Sequence, residues 1–371
     1  MMKRILLGFL MALLLAQSAF TSNATAAVVF TDTSGHWAEQ QINELARLGI
    51  LKENGYQPFY PNKPVSRGEA LALMNRVFES VYGPVAKPER KNNLDYRYLL
   101  RSETEQLLAN MRTMLQIETG IVSHYDPGDR MLYYLYLADN YKLMKKQEKE
   151  NLDWWLSTAS LQRPLSREEA SLLLFHMMTP QKFRTANIKP QDAAAYFTSF
   201  YEWKQDTFYR DTYSPYALAI REFNLFASEK TFQPEKLMSR AEYAVVMKRL
   251  HDYFIKDATG QFKASGAHQQ RIAQVYLRAA TLAFESNNQA RLSRFFTPTA
   301  LMTMSKLAHK PKFTEHLNLT VKADENDSNK LWVIGQYQDS INGVYQLEYL
   351  FEPDASNAYG RKITRMIYTE K

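Results

Sequence analysis

Ser66-Arg67-Gly68-Glu69-Ala70, Ser166-Arg167-Glu168-Glu169-Ala170 and Ser239-Arg240-Ala241-Glu242-Tyr243-Ala244 repeat one phrase three times along a chain of 371 residues. Each copy follows a Pro-containing loop and opens an apolar run of helical period: Leu71/Leu73/Met74/Val77, Leu172/Leu173/Leu174/Met177 and Val245/Val246/Met247/Leu250. Self-similarity of this kind marks units that must stack on one another to bury their apolar faces. Ser followed three residues later by Glu is a capping box, in which the hydroxyl accepts from the N3 backbone and the carboxylate accepts from the N-cap N–H. Ser66 with Glu69, Ser166 with Glu169, and Ser239 with Glu242 are therefore read as structural caps. Arg67, Arg167 and Arg240 occupy the first helical position, where the helix dipole disfavours a cation, so each implies a partner. Two partners are open: an external anion at the helix start, or a carboxylate of a neighbouring unit that packs the repeats together. The two roles are compatible.

Ahead of the first copy, Phe30-Thr31-Asp32 leads into Gly35-His36-Trp37-Ala38, then a helical pattern Ile42/Leu45/Leu48 that stops at Gly49. Ile50-Leu51, Gly55 and Phe59-x-Pro61 follow before Ser66. This order resembles the S-layer homology (SLH) domain, whose pattern runs F-x-D, W-A, an apolar helix, L-G-I, a Gly loop, F-x-P and T-R-A-E. Residues 29–78 follow it closely, with Ser66 in place of Thr and Gly68 in place of Ala. Residues 205–253 resemble it more loosely. Tyr209-Arg210-Asp211 stands for F-x-D, Tyr216-Ala217 for W-A and Phe223-Asn224-Leu225-Phe226 for L-G-I-V, with Asn224 at the helix end. Phe232-x-Pro234 lies as far before Arg240 as Pro61 lies before Arg67. The middle copy keeps only Pro164 to Ala170. The longer gap between Arg67 and Arg167 than between Arg167 and Arg240 places an insertion within about residues 84–150. It reads as helices, Glu103 to Leu115 and Arg130 to Lys149. The aromatic group Tyr133, Tyr134, Tyr136, Trp154 and Trp155 reads as core, with sugar stacking as the alternative.

The resemblance implies three units assembled into a pseudo-threefold prong whose grooves hold an anionic, often pyruvylated, secondary cell-wall polysaccharide. Matched residue by residue, it implies polysaccharide-binding roles for Asp32, Trp37, Gly55 and Arg67 in the first unit, and for Arg167 and Arg240 in the others. Trp37 is read either as a sugar-stacking face or as core.

Residues 1–27 read as an export signal, with a retained membrane anchor as the alternative: Lys3 and Arg4, an apolar run from Ile5 to Phe20, and Ala24-Thr25-Ala26 as a cleavage site. Nothing later in the chain is long and apolar enough to span a bilayer. There is no cysteine, which excludes disulfides, thiolate metal sites and a cysteine nucleophile. Hydrophobic content of 45% and aromatic content of 13% argue for packed globular units. The net charge of +7 favours anionic polymers or surfaces but equally suits a solvated protein with no such partner, and no basic cluster is dense enough to argue for nucleic acid.

From about Gly266 another pattern begins. His268 to Glu285 is an amphipathic helix, Gln289 to Phe296 a second, broken at Thr297-Pro298, and a third runs to about Leu307. Four alternating segments follow, Leu317 to Ala323, Leu331 to Gln338, Val344 to Phe351 and Lys362 to Tyr368, with Asn342-Gly343 as a hairpin signal. This predicts an α+β domain with an antiparallel meander. Phe295-Phe296-Thr297-Pro298 after a long first helix is weakly similar to the nuclear-transport-factor-2-like or cystatin-like cone fold. His309, Glu315 and His316 lack metal-ligand spacing and read as surface, and Asp324/Asp327 as a solvated turn.

The expected organisation is thus multidomain: signal 1–27, SLH repeat 1 at 28–82, a helical insertion with degenerate repeat 2 at 83–183, repeat 3 at 184–256, and the α+β domain at 266–371. No phosphate loop, nucleophile elbow or two-His zinc motif occurs, so no catalytic residue, metal or cofactor is expected. The reading is a non-enzymatic protein secreted to the wall or surface of a Gram-positive-type bacterium, binding the polysaccharide and displaying its last domain. Two alternatives stand beside it: small-molecule or glycan binding, or catalysis, in a pocket of the last domain, and repeats serving as a scaffold for another surface protein.

Overall fold

A computed structural model describes residues 30–51, 58–86, 96–119, 158–177, 233, 235–305, 317–338 and 344–370. Residues 1–27, Gly55, the run 130–149 with its aromatic group, Trp154, Trp155, all of residues 205–232, His309, Glu315, His316 and Asn342-Gly343 lie outside the described residues.

The first unit opens with α1 (Glu39–Arg47), which buries Ile42, Leu45 and Ala46. Gly49, at φ 70°, takes the left-handed conformation that turns the chain out of it. The three repeated phrases then start three helices, α2 (Arg67–Tyr82), α5 (Arg167–Met177) and α6 (Arg240–Lys263). At Ser66, Ser166 and Ser239 the hydroxyl accepts from the backbone N–H of the glutamate three residues on, at 3.2, 3.3 and 3.1 Å. Each glutamate carboxylate accepts in return from the serine N–H, at 2.9, 3.0 and 2.9 Å.

The segments just before these helices close on one another through isolated bridges, Pro64 with Ser239, Ser66 with Pro164, and Ser166 with Leu237. Val65 N donates to Met238 O, Met238 N to Leu165 O and Leu165 N to Val65 O, all at 2.9 Å. A second cycle runs the opposite way: Arg67 N to Arg163 O, Arg167 N to Lys236 O and Arg240 N to Lys63 O, at 2.9, 3.0 and 2.8 Å. Three strand-like segments too short to form a sheet thereby satisfy one another's backbone, each using the other two. The helices behind the ring pack through Ala70, Leu73, Met74, Leu173, Leu174, Val246 and Met247. Tyr243 OH, fully buried, donates across to Ala70 O at 3.2 Å.

The insertion contributes α3 (Tyr96–Thr119), longer than the Glu103 to Leu115 stretch that periodicity suggests, and the short α4 (Thr158–Leu161) leads back to the second phrase. Leu107, Leu108 and Met111 are buried in the core that α2 also enters. Glu103 takes Arg76 Nε from α2 at 2.8 Å. Asn110 Oδ1 accepts from Val85 and Ala86 N–H at 3.1 and 3.0 Å, fixing the chain as it leaves α2.

The carboxy-terminal part holds α7 (Ala267–Glu285), α8 (Gln289–Phe295) and α9 (Pro298–Ser305), then β1 (Leu317–Ala323), β2 (Leu331–Gln338), β3 (Val344–Pro353) and β4 (Arg361–Glu370). The strands form one antiparallel meander in chain order. Period-2 alternation puts Leu331, Val333, Leu347, Tyr349, Phe351 and Ile363 on the buried face, against Tyr276 of α7. The register shifts between Leu350 and Phe351 against β4, which keeps both Ile363 and Met366 buried. Fold class is as the sequence indicates, helical units followed by an α+β sheet domain. The division between them is less sharp, because α6 starts at the ring and continues past residue 256 to Lys263, where Phe262 packs on Phe351 and Tyr359 at 5.8 and 5.9 Å.

Aromatic side chains fill the junction. Tyr82 of α2 meets Phe254 of α6 at 5.4 Å and Tyr359 of the β3–β4 turn at 6.0 Å. Tyr359 OH donates to Tyr82 O at 2.8 Å. Arg294 donates to Glu79 O at 3.2 Å and to Ser80 O, and Arg291 pairs with Glu79 at 3.1 Å. These arginines neutralise the carbonyl end of α2, where cations are favoured.

His251 of α6 is buried, and burial holds its imidazole below the ordinary histidine range, against the opposing pull of Asp252 and with Lys248 and Arg294 adding to the depression. A histidine depressed on folding binds its proton more readily in the unfolded chain, so its contribution is present above about pH 6.5 and is lost as pH falls from there through the folded value. His251→Gln is expected to flatten the fall in melting temperature between about pH 7.5 and 5. Parallel wild-type and variant profiles across that window would remove His251 as the cause.

Candidate polysaccharide-binding site

Asp32 clamps the first unit. Its two carboxylate oxygens accept from Phe59 N and Tyr60 N, each at 2.7 Å, joining F-x-D to F-x-P across the unit. The rings of Phe30 and Phe59 meet behind this clamp at 5.2 Å. Asp32 therefore shapes the loop from within, through charge-assisted bonds that neutral acceptors make less strongly.

Arg67 and Arg167 are buried, 2% and 4% exposed. Arg67 donates to Glu169 of the second capping box. Arg240 donates to Glu69 of the first at 2.8 Å, and its guanidinium lies over the Phe59 ring at 4.9 Å. Glu242, the glutamate of the third box, holds Lys236 at 2.9 Å, which with the Ser239 bonds keeps its carboxyl below the usual range against burial. Each of these glutamates both caps its own helix and holds a cation of the ring. The arginines are thus brought to one place by the hydrogen-bonded cycles, two of them with carboxylates of a neighbouring unit. Arg240 retains the most solvent contact of the three, its side chain 14% exposed.

Trp37 lies on the outside. It is 62% exposed, so it is no core residue, and its indole meets the His36 ring at 5.5 Å. His36 Nε2 in turn sits 3.4 Å from Asn62 Oδ1, linking the W-A segment to the loop that carries Tyr60. Tyr60, 56% exposed, is not singled out by its pattern, since the position between Phe and Pro is filled by any residue type; its side chain becomes notable only once burial is known. Gly55 lies outside the described residues.

Among the described residues no group of His, Asp and Glu has metal-binding arrangement, and no helix is long and apolar enough to cross a membrane. The pair Asp324/Asp327 forms a turn, with Asp324 accepting from Trp332 Nε1 at 2.7 Å and from Asn326 N at 2.9 Å.

No curated protein matched the chain. Residues 29–71 match the family model of the S-layer homology domain, a span that holds Asp32, Trp37, Gly55, Ser66, Arg67 and Glu69. The chain is accordingly one that carries an S-layer homology domain, a unit of bacterial cell-wall and cell-surface association, at residues 29–71.

Proposed function

We propose that this is an exported envelope protein that holds an anionic secondary wall polysaccharide noncovalently through three SLH units, without catalysis, and presents the carboxy-terminal α+β domain at the surface. The observation that carries it is the closed ring. Two poorly conforming copies of the phrase hydrogen-bond to the well-conforming one in the same way that it bonds to them, which supports counting them as units of one pseudo-threefold prong. Arg240, which keeps 14% of its side chain exposed beyond its Glu69 pair, and the exposed Trp37 of the first unit supply the two kinds of contact an acidic sugar needs, a guanidinium for carboxylate and an aromatic face for the ring. Export through the 1–27 segment, a Gram-positive-type wall and a pyruvylated polymer belong to the same proposal.

Co-sedimentation of the protein with wall sacculi, intact or stripped of their secondary polymer, tests it. Binding is expected only to the intact sacculi and to fall with salt, as for any contact between charged groups in water. Equal pelleting with stripped walls, or none with either from a folded sample, would exclude the polysaccharide as ligand.

A further inference from the structure

Tyr60 sits at φ 55°, in the left-handed region that a bulky residue enters at a cost. It is held there by Asp32, which accepts from its N–H, and by Lys63, whose N–H donates to its carbonyl at 3.0 Å. Gln233 has the same place before Pro234 in the third unit and the same conformation, φ 49°. The turn therefore demands a left-handed residue in both units, and glycine or asparagine would supply it at lower cost. Tyrosine stands there instead, and its side chain contributes little to the core: Phe59 next to it is 2% exposed while Tyr60 is 56% exposed.

We infer that Tyr60 is a saccharide contact, a ring face on which a pyranose of the anionic wall polymer rests at the junction of the first and third units. Its position fits that role. The following residue, Pro61, accepts from Ala241 N at 2.9 Å, and the preceding one, Phe59, lies under the Arg240 guanidinium at 4.9 Å, so the chain at Tyr60 adjoins the arginine, paired with Glu69 and still 14% exposed, that would take an acidic substituent. Trp37, His36 and Asn62 belong to the same end of the unit through the 3.4 Å His36–Asn62 contact. In the third unit the equivalent side chain is the amide of Gln233, which has no ring to offer. The sites are thereby unequal, with the stacking face on the first unit.

The inference rests on the wall-binding reading, and stability and affinity should move in different directions when it is tested. Tyr60→Gly relieves the left-handed conformation while removing the ring. Its melting temperature is expected to hold or rise by about 1–3 °C, while affinity for polymer-bearing sacculi falls about 10-fold. Tyr60→Phe, which keeps the ring, is expected to bind within about threefold of wild type. Wild-type affinity in Tyr60→Gly would overturn the inference and leave wall binding standing. A glycine variant that loses stability and binding together would make Tyr60 a structural residue and overturn it as well. Failure of the wild-type protein to bind sacculi would remove both readings at once.

Discussion

Gly83→Ala is expected to lower the unfolding free energy by about 3–4 kcal/mol, a large effect for the addition of a single methyl group. Two costs add. Gly83 ends α2 at φ 73° and ψ 172°, a conformation open in practice only to glycine. A Cβ there would also lie 3.0 Å from Ala279 Cβ and 3.0 Å from Phe295 Cζ, both buried in the carboxy-terminal domain. Neither neighbour can give way cheaply, because Ala279 is fixed on α7 and Phe295 is locked against Tyr276 at 5.1 Å. The damage falls on the seam between the two parts, so urea unfolding should show an early loss of tertiary signal from Tyr82 and Tyr359. A stability within about 0.5 kcal/mol of wild type would mean that the seam opens without resistance.

Arg67→Ala is expected to cost about 3–5 kcal/mol, because it leaves the Glu169 carboxylate buried in a ring with one cation fewer. Removing both charges together, Arg67→Met with Glu169→Leu, is expected to recover much of that loss, though Glu169 also caps its own helix and that part stays lost. A double-mutant cycle measures the difference. Additive losses would show that the two side chains do not act as a pair. The same result bears on any binding assay: an arginine-to-alanine change in this ring alters the fold before it alters ligand contact, so loss of wall binding has meaning only beside a stability measurement.

That three capped helix starts recur and belong together was legible because the signal is local. Ser, Arg and Glu at fixed spacing state a helix start, and three statements in one chain imply an assembly. Strand limits were legible for the same reason, since alternation marks Leu331 to Gln338 and Val344 onward residue by residue. Which way Arg67 points was not, because the external anion and the neighbouring carboxylate are both chemically sound partners and only the fold brings Glu169 to it. Trp37 likewise could not be placed by type: indoles fill cores and line sugar sites alike, and only its exposure separates the two. The seam left no trace in the sequence. Tyr82, Phe254 and Tyr359 are far apart along the chain, and each reads alone as an ordinary core aromatic. Nor did periodicity carry α6 past residue 256; Gly260, with open space around it, stays helical there.

A helix that starts in the ring and ends among the aromatic side chains of the sheet domain is a bracket. At 24 residues it reaches about 36 Å, with no break in the helix between Arg240 and Lys263 at which the carboxy-terminal domain could swing. In the wall-bound protein proposed above, this mount would hold the carboxy-terminal domain at a set angle to the ring, and a pull on the domain would reach the ring through hydrogen-bonded backbone.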